Sequence, residues 1–439
     1  MIRRPAAWIL CALLGAAAPL TAQTRLSLPE AVAKARAHNP DAAVAEAAER
    51  ASAERVAQAR AGYLPRVDAM ETWQRGNQPV FAFGSLLAQR QFSQNNFAIE
   101  ALNHPDAVGN FRLGLQVEQP LFDPSTPVQI RTAGVAREMA AAGRALVGQE
   151  LGVAVAATYG QVLAAVAHRA SAASAVASAE ADRERTANRR DAGLVTDADV
   201  LQMDVHLAAT RARHIRAEAD ESVARAQLNA LMGEPLDAVF ALELTPASAA
   251  TEQDLTALDA EALRNRADVR LATLREQFAA SAVSAARAAF LPQVSAQAGW
   301  ESNGGAWAPR SPSWAVGVSA RINLFRGFAD QARLAEARVG VEQQAAERQK
   351  AETAARLDVR VATARLAAAR AAEAVGRQAA TQAREQQRIV RDRYEQGLSD
   401  ATSLLRAAEA VMAADAQQTS AQVEVLVASA ALTRALGRP

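Results

Sequence analysis

The spacing of apolar and polar positions along this chain changes in the same order twice. Pro40 to Gly62 and Asp268 to Ala289 are alanine-rich, charged and free of internal proline, a composition that predicts helices. The period then drops to two. Val294, Ala296, Ala298 and Trp300 alternate with Ser295, Gln297, Gly299 and Glu301. Val316, Val318, Ala320, Ile322 and Leu324 alternate with Ala315, Gly317, Ser319, Arg321 and Asn323. The first half repeats this more weakly, with Val67, Ala69 and Trp73 in one segment and Leu113, Leu115 and Val117 against Arg112, Gln116 and Glu118 in the other. Four half-apolar strands in two hairpins follow. Helical composition then runs from Val128 to Asp191 and from Gly327 to Gln396, rods of roughly 95 to 105 Å at about 1.5 Å per residue. Each ends in a turn, at 192–197 and 396–400, where Gly193 or Gly397 suits a helix C-cap and a Thr, Ser or Asp suits the next N-cap. Returning helices reach about Leu231 and Leu436.

Short matches support the doubling. Ala61-Gly62-Tyr63-Leu64-Pro65 aligns with Ala288-Ala289-Phe290-Leu291-Pro292, and Asn39-Pro40-Asp41 falls on Arg266-Ala267-Asp268. Leu121-Phe122 aligns with Leu324-Phe325, and Gly193-Leu194 with Gly397-Leu398. The first copy carries an insertion inside its hairpin, between residues 78 and 110. The expected organisation is a leader at 1–22, a first repeat at 23–250 and a second at 251–439.

The leader is read from Arg3 and Arg4, an apolar run from Ala6 to Leu20 and small residues around Ala22. The only cysteine, Cys11, lies inside it, so no disulfide is expected in the exported chain. No later segment reads as long and charge-free enough for a spanning helix. Export changes the meaning of the strands. Apart from Trp8 in the leader, every tryptophan (Trp73, Trp300, Trp307, Trp314) lies in or beside them, and Phe111 joins these near a strand end. Aromatics at strand ends, one apolar face and about ten residues per strand are the pattern of an outer-membrane barrel wall. Four strands cannot close such a wall, because backbone groups in lipid must all be paired, so two or three chains must share one barrel. Trp73, Phe111, Trp300 and Trp314 are the expected membrane-interface aromatics. Arg112, Gln116, Glu118, Gln297, Glu301, Arg321 and Asn323 are the expected lumen-facing residues.

These landmarks, in order and twice, resemble the TolC-like outer-membrane efflux proteins, also called outer membrane factors. The resemblance covers essentially all of the exported sequence. It implies a mainly α fold with a small β part: a homotrimer with a shared 12-stranded barrel in the outer membrane of a Gram-negative bacterium and a long helical barrel in the periplasm. It also implies partners, a periplasmic adaptor (membrane fusion) protein and an inner-membrane pump such as one of the resistance-nodulation-division type. By resemblance the tip residues Gly193, Leu194, Asp197, Asp199, Tyr394, Gly397, Leu398 and Asp400 are candidates for the gate and adaptor contact. Capping and packing are the alternative duties of Tyr394 and Asp199. The sequence departs from better-known members at Ser403 and Arg406, where those channels place a ring of acids.

Composition adds exclusions. With 50% hydrophobic residues and 22% charged, the chain can bury a large core. Its 4% aromatics and abundant alanine favour closely packed helices. A formal charge of +1 makes no case for nucleic acid. His38, His104, His168, His206 and His214 form no metal motif, and no phosphate loop or nucleophile elbow is present, so no catalysis, cofactor or metal is expected. An efflux channel conducting passively is the leading expectation. The duct of a type I protein secretion system, a pump-independent porin or envelope protein, and a periplasmic coiled-coil adaptor are the alternatives.

Overall fold

The computed structural model describes residues 25–243 and 254–438; the leader, and the expected boundary between the repeats, lie outside them. The element order is β1 (Arg25–Leu26), α1 (Leu28–His38), α2 (Pro40–Arg60), β2 (Arg66–Gly76), α3 (Pro79–Ala88), α4 (Ile99–Asn103), β3 (Val108–Phe122), α5 (Ser125–Asp191), α6 (Asp197–Met232), β4 (Ala241–Leu242), α7 (Leu255–Asn265), α8 (Ala267–Ala288), β5 (Gln293–Gly304), β6 (Ser311–Arg321), α9 (Ala329–Glu395) and α10 (Ala401–Ala435). The fold is mainly helical, with a small sheet and the same helix, hairpin and helical-hairpin plan in both halves. The long helices α5 and α9 have 67 residues each.

Two compact units form. One gathers the described parts of residues 1–35, 155–248 and 376–423, the other those of 36–154, 249–375 and 424–439. In the first unit β1 and β4 pair in parallel. The fully buried Tyr159 of α5 fastens this ribbon: its hydroxyl lies 2.7 Å from the Leu26 carbonyl and accepts a hydrogen bond from the Glu243 amide at 2.9 Å. A buried phenol needs such partners, because an unpaired polar group in a core costs free energy. The apolar stretch of α5 that contains Tyr159 corrects one sequence expectation. An 18-residue window of this helix is long and apolar enough to cross a membrane, and a third of it is buried within the protein.

In the second unit the four long strands make one antiparallel sheet, ordered β2-β3-β5-β6, so the two predicted hairpins also pair with each other. Helices α7, α9 and α10 close a core of Leu258, Ala262, Val359, Ala362, Ala435 and Leu436. Beside it Arg266 is buried and donates to Asp268 at 2.6 Å and to Asp358 at 2.9 Å. The insertion is helical rather than an irregular loop. Pro79 opens α3 at a position where its missing N–H costs nothing. Phe83, Phe92 and Phe97 then stack edge to face, with centroids 4.6 and 5.1 Å apart.

Candidate functional site

Strand register sorts the sheet into two chemically distinct faces, since directly paired residues share a face and neighbours along a strand alternate. Arg112 pairs with Thr72 and Asn303; Gln116 with Asp68 and Gly299; Glu118 with Arg66 and Gln297; Glu301 with Gly114 and Ser313; and Gln293 with Arg321. Arg112, Gln116, Glu118, Gln297, Glu301 and Arg321 thus lie together on one polar face. The opposite face carries Trp73 paired with Phe111, Trp300 paired with Trp314, and Val67, Leu115, Val117, Val316 and Val318. All four expected interface aromatics are on it. Trp314 is 74% exposed and Val316 70%, so among the described residues much of this face has no apolar cover.

Asn323 is a correction. β6 ends at Arg321, and Asn323 lies beyond it, donating to Asp330 at 2.5 Å at the start of α9. The alternation of Ile322 and Leu324 continues past the last strand residue, which misled the periodicity.

Charges on the polar face are largely matched. Arg112 meets Glu301 at 2.8 Å and Arg66 meets Asp68 at 3.0 Å. Among the described residues both outer strands, β2 and β6, leave one hydrogen-bonding edge without a partner strand. Such an edge is tolerated in water only with safeguards, and in lipid not at all.

The tips form the second candidate region. After α5, Gly193 is left-handed (φ +72°), the Gly193 amide donates to Arg190 and the Leu194 amide to Arg189. After α9, Gly397 (φ +75°) and Leu398 repeat the pattern onto Tyr394 and Arg393. Glycine occupies both positions because a Cβ is strained at such a φ. Thr196 and Asp199 form a reciprocal capping box at the start of α6, and the amide and hydroxyl of Thr196 hold the Asp199 carboxyl below the usual carboxylate range. Asp400 caps α10 by accepting from the Ser403 amide at 2.7 Å. Asp197 is exposed, 3.5 Å from Arg190. Leu194 and Leu398 are exposed at 67% and 64%.

Tyr394 is buried among Met203, Ala401 and Leu404. Its hydroxyl is 3.1 Å from that of Thr186, the Arg189 guanidinium lies 4.8 Å over its ring, and Arg189 also donates to its carbonyl. Nearby, the buried Asp182 receives Arg185 at 2.5 Å and Arg391 at 3.7 Å. Thr186, Arg189 and Asp182 escaped the sequence reading because they approach Tyr394 and Arg391 from another helix, with no short-range signal. His206 and His214 both sit on α6, His206 being 4.0 Å from Glu409, and burial pushes the His206 imidazole pKa down. Among the described residues no group of three His, Cys, Asp or Glu side chains could hold a metal ion.

Two rod-length helices and a sheet that is largely apolar on one face and polar on the other have the build of a membrane channel wall. The chain belongs to the Outer membrane efflux protein family, which matches it over residues 31–234 and 258–438. Its fold is similar to the outer-membrane channel OprN (23% identity, 94% of this chain and 90% of that one, TM-score 0.74). VceC of Vibrio cholerae shares 20% identity over 94% of this chain and 96% of that one, with a TM-score of 0.73. CmeC of Campylobacter jejuni shares 15% over 93% and 85%, with a TM-score of 0.77. A search of curated proteins found no match.

Proposed function

We propose that this chain is the outer-membrane channel of a tripartite efflux system. Substrates are handed over by an inner-membrane transporter, for example of the resistance-nodulation-division type, through a periplasmic adaptor, and pass passively to the cell exterior. The observation that carries this reading is the sorting of the sheet. All four strands present an exposed, largely apolar and aromatic face, with Glu71 and Arg75 of β2 its charged exceptions, and the reverse face presents Arg112, Gln116, Glu118, Gln297, Glu301 and Arg321. Lipid covers the first face and the second lines a wet pore.

Closure follows from the unpaired edges of β2 and β6. Copies of the chain join edge to edge, and three of them supply twelve strands, within the range of known bacterial barrels. The repeats, 23–250 and 251–439, each give one strand hairpin to that barrel and one helical hairpin to a periplasmic tunnel. At the tips Leu194 and Leu398 are the apolar contacts for the adaptor, flanked by Asp197, Asp199 and Asp400. Tyr394, clamped by Thr186 and Arg189, holds the entrance shut. No bond is made or broken in this mechanism.

Purified protein in planar bilayers should conduct ions, and its gene should restore drug resistance to a strain lacking its own channel only when a compatible adaptor and pump are present. Conductance without any pump-dependent resistance would favour a porin instead. A detergent-free, soluble monomer would overturn the reading.

A further inference from the structure

The insertion of the first hairpin, 79–105, is tied to the polar face of the sheet by a buried amide relay. Gln89, at the C-terminal end of α3, is buried; its side-chain amide donates to the Gly109 carbonyl at 2.8 Å and to Asn110 Oδ1 at 3.0 Å. Asn110 in turn donates to Asn303 Oδ1 at 2.8 Å, and the Ser311 hydroxyl donates to the Gln89 carbonyl at 3.0 Å. Register settles the side: Asn303 pairs with Arg112 and with Ser311, so Asn110, Asn303 and Ser311 share the face of Arg112 and Glu301. Asn303 is 2% exposed, which makes this amide relay a built contact rather than a surface brush. At the same end of the sheet the β5–β6 loop goes the other way. Trp307 meets Phe111 at 6.1 Å on the apolar face, and Arg310 lies 4.5 Å over Trp307.

The geometry points to the insertion as a fixed collar inside the outer mouth of the pore, with Gln89, Asn110 and Asn303 as the residues that position it and so set the size of solute that passes. This rests on the polar face being lumenal. The insertion joins the strand ends remote from α2 and α5, which is where long extracellular connections of such barrels lie. A loop folded over the lumen takes cross-section from the pore in every copy. Two short helices pair part of its backbone, and the edge-to-face cluster of Phe83, Phe92 and Phe97 gives it packing of its own.

Three variants of the full-length protein, compared in planar bilayers, test the collar. Replacing 79–105 by a short Gly-Ser link should raise single-channel conductance several-fold. Should that variant fail to assemble, Q89A, which cuts the relay but leaves the strands intact, should raise open-channel noise and mean conductance. Gln116→Cys, treated with a bulky charged thiol reagent, tests the lumenal reading separately and should lose conductance on modification. Block at Gln116→Cys, with wild-type conductance in both insertion variants, overturns the collar and leaves the channel reading standing. Efficient modification of Gln116→Cys without block overturns both.

Discussion

In the first repeat the helix before the hairpin starts at Asn39, whose side chain accepts the Asp41 amide at 2.8 Å, a neutral N-cap. The matching position in the second repeat is Arg266, buried and bound to Asp268 and Asp358. The tips diverge in the same way. Three residues before its left-handed glycine the second repeat buries Tyr394, whereas the first carries Arg190, exposed at 42% of its side chain and paired with Asp191 at 2.6 Å. Equivalent backbone therefore does not imply equivalent work: the turns are duplicated, and at these two matched positions it is the second copy that buries a large side chain.

The sharpest way to break this comparison is at the tips. Tyr394→Ala should cost about 3 kcal/mol or more through the cavity it leaves, lowering the thermal midpoint of the detergent-solubilised protein followed by circular dichroism. Arg190→Ala, in the same backbone slot, should leave that midpoint unchanged; equal losses at the two sites would erase the asymmetry. Next in size is the helix start. Arg266→Leu removes the cation bonded to both Asp268 and Asp358, leaving only Arg434 at 3.7 Å from Asp358, and should cost about 2 kcal/mol, less than a fully buried pair because both carboxylates are part-exposed. Asn39→Ala should cost about 1 kcal/mol, the ordinary loss of a cap.

Acid sharpens the same contrast. Burial disfavours the Asp268 charge, but the hydrogen bonds and charge of Arg266, with the Val269 amide and the charge of Arg434, together outweigh it and hold the carboxyl below its usual range. Its contribution is complete above the unfolded carboxyl value of about 4 and disappears as pH falls through the lower folded value. The midpoint should therefore drop as pH falls below about 4, and Asp268→Asn should flatten that part of the profile. The smallest effect is expected for Tyr394→Phe, which removes only the hydroxyl shared with Thr186, about 1 kcal/mol. It should shift the balance toward open channels, read as higher conductance at unchanged assembly.

The strands and the two long helices were legible because their periods are long enough to count: the register of β2, β3, β5 and β6 puts the polar residues on one side and the four aromatics on the other, as alternation implied. Other elements were missed for different reasons. β1 and β4 have two residues each, too few for any period, and a tyrosine more than a hundred residues from Leu26 holds them. Helix α1 carried a usable signal, the Ser27 and Glu30 capping pair, and α3 carried another in Pro79. Both signals lay outside the doubled landmarks that organised the reading. The partners of Tyr394 could not be found at all from one sequence, since Thr186 is 208 residues away along the chain.

The two free rims of the sheet belong to different strands, β2 and β6, so in the proposed wall each copy offers its neighbour an unlike rim and joins head to tail. A subunit damaged on β6 alone, for instance by a proline among its outward amides, would still be accepted through β2 and would then stop the ring from completing. Expressed beside the intact gene, such an allele would poison mixed assemblies in proportion to its dose, and a cell carrying both copies would behave as though it had lost most of its channels.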